Sequence, residues 1–189
     1  MWVKRERHVR VEGRAERWWT ALAIALAAGL ARAQPPAASS AAMEAAYLAK
    51  FAPFVGWPAQ ALGAADAPLV ICVQGADPFG EALDHASVGQ RLGSHPIVVR
   101  RIDTLNTDSG CQIAYVGGSP AQPAAAALKA VAQAPVLTVT DEESRGGRGI
   151  VQLFWMKGRV RFAIDADMAA KAGLTISSKL MALGTGSQP

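Results

Sequence analysis

Histidine, cysteine and tyrosine are scarce in this chain of 189 residues: three, two and two. Most metal and nucleophile arrangements therefore lack the residues to be built from. No H-E-x-x-H or other zinc spacing occurs. No C-x-x-C pair occurs, which removes disulfide exchange as an activity. The P-loop pattern G-x-x-x-x-G-K-[ST] is absent. The glycine-rich stretch Arg145-Gly146-Gly147-Arg148-Gly149 leads into a predicted strand, not a helix, so it is no dinucleotide fingerprint. Ser119 in Gly117-Gly118-Ser119-Pro120 misses the G-x-S-x-G elbow, and Ser177-Ser178-Lys179 does not satisfy S-x-x-K. No residue set for catalysis remains. The chain reads as a non-enzyme without cofactor or metal.

Long apolar runs are also missing. The longest, Trp18 to Leu30, has 13 residues, whereas a membrane span needs about 20. It follows Lys4, Arg5, Arg7, Arg10, Arg14 and Arg17, and it precedes Ala31-Arg32-Ala33. That layout is a secretory signal peptide, with cleavage expected after Ala33 and a periplasmic destination. No Arg-Arg pair precedes the apolar run, which favours general (Sec-type) export over the twin-Arg route.

The formal charge of +4 belongs to that segment. Residues 1–33 hold seven Lys/Arg and three Asp/Glu, and the rest of the chain holds twelve of each sign. A neutral mature chain gives no basic patch and no argument for nucleic acid. Its length suits one domain. We expect a flexible leader over 34–42, an α/β domain over 43–184 and a disordered tail over 185–189.

Along the mature chain, Met43, Tyr47, Phe51, Phe54 and Val55 predict an amphipathic helix over 41–55. Leu69 to Val73 is a continuous apolar run, as in a strand covered on both faces. Asp77 and Pro78 then suit an N-cap and first helical position, predicting a helix to about Ala86. Further strands are predicted over 96–101, 112–116 and 135–139. Ser119-Pro120 predicts the start of an Ala-rich helix ending near Gln133. Residues 149–156 and 159–164 read as a β-hairpin around Lys157-Gly158. Asp165 or Asp167, and then Ser177, can cap two short helices. The fold class is α/β: a single-domain sandwich with a mixed, partly parallel sheet flanked by helices and a C-terminal β-hairpin.

Four groups are candidate sites. Cys72 and Cys111 lie at strands in an oxidising compartment, so a disulfide is the first expectation, two buried thiols being the alternative. It would be structural. Gln74, Gly75 and Asp77 follow a strand at the edge where α/β folds bind ligands, and Arg145 and Arg148 can hold an anion; together they form a candidate ligand or partner loop. Phe54, Trp57 and Trp155 form a candidate partner patch, with core packing as the plainer alternative. Asp141, Glu142 and Glu143 could bind a cation, with a solvated helix start or loop as the plainer reading.

Several motifs taken in order resemble one family. They are Ala45 to Phe51 (AAYLAKF), Phe54 to Pro58 (FVGWP), Ile71 to Gly80 (ICVQGADPFG), Cys111 heading a short strand, Pro135 to Val139 (PVLTV) and Gly173 to Leu180 (GLTISSKL). In this order the chain is similar to the YfiR/HmsC family of periplasmic proteins. The resemblance implies a periplasmic α/β domain that forms homodimers. It implies a partner, the periplasmic domain of an inner-membrane diguanylate cyclase, which the regulator represses. Loss of repression raises cyclic di-GMP and favours biofilm. It also implies an outer-membrane lipoprotein that sequesters the regulator. Cys72 and Cys111 match one cysteine pair of the family; its second pair, near the loop before the hairpin, has no counterpart between Glu142 and Gln152. The alternative reading is a periplasmic small-ligand sensor acting on a sensor kinase or transporter.

Overall fold

The structure is a computed structural model that describes residues 38–144 and 146–184. The expected signal peptide over 1–33, the leader through residue 37, Arg145 and the tail over 185–189 lie outside the described residues. Helix α1 is Ala38–Lys50, followed by a 3-10 turn at Ala52–Phe54 and the short strand β1, Val55–Gly56. After α2 (Ala59–Leu62) come β2 (Leu69–Gly75), α3 (Glu81–Ser87), β3 (Arg91–Leu92) and β4 (His95–Ile102). Then follow β5 (Ile113–Gly118), α4 (Ala124–Ala130), β6 (Leu137–Thr140), β7 (Val151–Met156) and β8 (Arg159–Ile164). The order closes with α5 (Ala166–Lys171), β9 (Thr175–Ile176) and α6 (Ser178–Leu183).

Seven strands form one mixed sheet in the order β3-β4-β2-β5-β6-β7-β8, and β1 pairs antiparallel with β9 in a second small sheet. The five central strands of the large sheet are parallel; β3 and β8 pair antiparallel at its edges. This is the α/β sandwich with a terminal hairpin that the alternation of patterns predicts. Both faces of β2 are covered. Leu69, Ile71 and Val73 enter the main core with α1, α3, α5 and α6. Cys72 enters a smaller core under α4, with Leu105, Cys111, Ala114, Val116 and Ala127. That two-sided burial is what the unbroken apolar run encodes.

Boundaries differ where proline and glycine intervene. The first helix ends at Lys50 rather than 55, because Pro53 lacks the N–H that an interior helical position requires. It also begins earlier, so residues 38–42 are helical where a flexible leader was expected. Asp77 Oδ1 does accept from the Phe79 and Gly80 N–H groups, at 2.8 and 3.1 Å. Yet the regular helix starts only at Glu81, after Gly80 turns the chain at φ 50°. Ser119 caps a turn, accepting from Gln122 N at 3.0 Å, and α4 begins after Pro123. A helix starting at Pro120 would have put Pro123 where an intrahelical donor is needed. Asp165 and Ser177 cap α5 and α6 as expected, accepting from Met168 N and Leu180 N.

Candidate functional site

Among the parallel strands, the chain passes from β2 to β4 on one side and returns to β5 on the other. The carboxyl ends of β2 and β5 therefore flank the topological switch point, the usual ligand crevice of such sheets. Here it is filled from within. Gln74 is fully buried, and its amide donates to the carbonyls of Asp103 (2.9 Å) and Gln122 (3.1 Å) while accepting from Gly118 N (3.1 Å). Gln122 in turn bridges both backbone groups of Leu105. Gly75 sits at φ 75°, and a Cβ there would lie 2.1 Å from the Gly118 oxygen. The Ala76 N–H reaches that same oxygen at 2.9 Å.

Asp77 is spent likewise. Besides holding its own turn, its Oδ2 pairs with Arg101 Nε at 3.0 Å. Arg101 also forks onto Asp84, and this hydrogen bonding draws the Asp84 carboxyl below its ordinary pKa. Gln74, Gly75 and Asp77 thus build the β2–α3 corner. Arg148 lies before β7, three strands away, and Arg145 lies outside the described residues.

Cys72 and Cys111 are bonded, with Cα atoms 5.8 Å apart, both buried in the smaller core. Arg100 Nη2 lies 3.7 and 3.8 Å from the two sulfurs and donates to the Ser109 carbonyl, covering the bond from the β4 side.

The aromatic residues separate. Phe54 and Trp57 follow the C-terminal end of α1 and pack, half-buried, on the main core. Trp155, on β7, meets the first half of α1, where its indole N–H donates to Glu44.

Around Trp155 the sequence reading missed a convergence. Glu44 is buried and separated from Asp141 by almost a hundred residues, so no local motif could join them. Asp141 is not solvated. It accepts from the Tyr115 hydroxyl at 2.5 Å and from the Ser144 N–H and hydroxyl, both at 2.7 Å. Burial, followed by the Asp141 carboxylate, pushes the Tyr115 phenol well above its ordinary value, so it stays a protonated donor. Glu142 accepts from the backbone N–H of Trp155 at 3.3 Å. Burial raises the pKa of Glu44, opposed by the indole hydrogen bond and reinforced by Asp141, Glu143 and Glu142. Among the described residues no group of three or more His, Cys, Asp or Glu is arranged to hold a metal ion.

Two grooves border this loop. One, of about 430 Å³, is lined by Ser40, Ala41 and Glu44 of α1 with Asp141, Leu153 and Trp155, among others. The other, of about 370 Å³, runs along Arg148, Ile150, Gln152, Phe154, Met156 and Ala163. Glu142 and Phe154 line both.

Fold and surface define a mixed α/β domain whose crevice at the strand reversal is closed and whose grooves lie instead against the terminal hairpin. The sequence model of the YfiR/HmsC-like family matches residues 41–185, and the chain belongs to that family. Membership makes it a periplasmic regulator in cyclic di-GMP signalling, of a family of regulators rather than enzymes. No curated protein matches the chain. Among the described residues no helix is long and apolar enough to cross a membrane.

Proposed function

We propose that the protein binds the periplasmic domain of an inner-membrane diguanylate cyclase and holds that enzyme inactive, lowering cyclic di-GMP and biofilm formation. The observation that carries this reading is the family match, which takes in every strand of both sheets. The closed switch point supports it, because a regulator that acts by contact needs surface rather than a deep crevice. The signal peptide expected to end at Ala33 would deliver the chain to the compartment where such a domain is reached. In the same reading the free regulator is a homodimer, and an outer-membrane lipoprotein relieves repression by sequestering it. Deleting the gene is expected to raise cyclic di-GMP and surface attachment, and restoring the exported chain to reverse both. Unchanged cyclic di-GMP in the deletion strain would sink the reading.

The grooves, at about 370 and 430 Å³, favour a second reading, since small-molecule sites begin near that size. A small ligand there would make the protein a sensor acting on a kinase or transporter. Thermal-shift screening with nucleotides and amino acids tests it, and a flat response across both classes would dispose of it.

A further inference from the structure

Strand β7 is longer than the neighbour it leans on. β6 pairs with it only at Val139↔Val151 and Thr140↔Gln152. On its other side β7 is paired with β8 as far as Met156. Among the described residues, Leu153 to Met156 therefore have no strand beside them on the β6 side. The direction of the backbone groups follows from the hairpin. Asp165 N donates to Ile150 O at 2.9 Å, so Gln152, Phe154 and Met156 turn their amides toward β8. The Leu153 amide is taken up at the end of β6, as the Thr140↔Gln152 pairing requires, and the Trp155 amide turns to the open side. There the Trp155 N–H is met by the Glu142 carboxylate at 3.3 Å, a side chain standing where a strand carbonyl would stand.

The two grooves lie on opposite faces of this open edge. The larger collects Leu153 and Trp155 with Glu44 of α1, the smaller collects Gln152 and Met156, and Phe154 borders both. Side chains of an added strand would alternate between them. The first groove carries Glu44, Asp141, Glu142 and Glu143, none with an ion-pair partner among the described residues. It suits Lys or Arg. The second is floored by Phe154, Met156, Ile150 and Ala163, with Arg148 at its border, without an ion-pair partner among the described residues. It suits an apolar side chain flanked by an acid.

We propose that the free edge of β7, from Leu153 to Met156, is a docking slot for an extended segment of the partner protein. That segment adds to the sheet beside β7, in line with β6, with basic side chains on one face and apolar ones on the other. Glu142 is the gate: it holds the Trp155 N–H when the slot is empty and turns to the incoming cation when it fills. The inference rests on the proposed function for the partner's identity, and names where on this chain that partner sits.

The test uses the exported chain and the purified periplasmic domain of the organism's membrane diguanylate cyclase. Hydrogen exchange of the Trp155 amide, the one β7 amide held only by a side chain, should slow on complex formation. Glu143→Lys, at an exposed carboxylate with no hydrogen bond among the described residues, should weaken binding by about tenfold, more so at low salt. Lys171→Glu, exposed on α5, serves as the control and should bind unchanged. Binding without protection at Trp155, or with Glu143→Lys like wild type, would overturn the slot and leave the proposed function standing. Failure of the wild-type chain to bind would overturn both. Protection appearing in the protein alone as its concentration rises would assign the edge to a second copy and overturn the partner segment.

Discussion

Asp141 shows how one buried carboxylate can organise a surface loop. Its three donors, from Tyr115 and Ser144, compensate for its removal from water. Tyr115→Phe leaves it one donor short without changing the ring's packing on Phe79. Urea denaturation should show a loss of about 1–3 kcal/mol. Glu44 gives a pH-dependent counterpart. Its folded pKa is raised, so the ionised form costs stability above that pKa, and the cost is relieved as pH falls toward the unfolded value. Glu44→Gln keeps an acceptor for the Trp155 indole. It should raise the melting temperature at pH 8 by on the order of 2 °C, with the difference vanishing near pH 4. Scanning fluorimetry across that range checks both the size and the sign. Three adjacent acids were legible as a candidate cation site or a solvated loop. That Asp141 turns inward depends on Tyr115, one strand over, which periodicity cannot report.

The corner after β2 is the element on which the sheet depends. Its strand was legible because both faces are apolar, and its turn because Gly75 and Asp77 have few other uses. Its closure was not, since Gln74 is held by carbonyls 29 and 48 residues away. Gly75→Ala would drive a Cβ into the Gly118 backbone, and Gly118 cannot withdraw without opening β5. Guanidinium denaturation should register a loss above about 3 kcal/mol, or no folded protein at all. Strands β3 and β9, of two residues each, carried no readable period. β3 exists because the longer β4 offers it an edge, and β9 because the fold brings the equally short β1 beside it. The helix starts failed for the opposite reason: the capping residues are present, but Gly80 and Pro123 postpone regular turns.

For the molecule as a whole, the disulfide ties β2 to the start of β5 across 39 residues, in a core too small to be well secured by burial alone. In the chain-entropy model such a closure contributes about 4 kcal/mol. Cys72→Ser should therefore lower the melting temperature by about 10 °C. Affinity for the proposed cyclase partner, measured on the folded variant, should be unchanged, because the bond lies under α4 and not against the hairpin. Equal melting of oxidised and reduced protein would contradict a structural role. The amino-acid pattern by itself determined the layered α/β class, the cysteine partners and the family, since each rests on local periodicity, composition or ordered motifs. Only the tertiary structure decided that the strand-reversal crevice is plugged, that Glu44 joins the acids after β6, and that β7 outruns its neighbour. Those features depend on which strands end beside which, a property of the assembled sheet that no single segment carries.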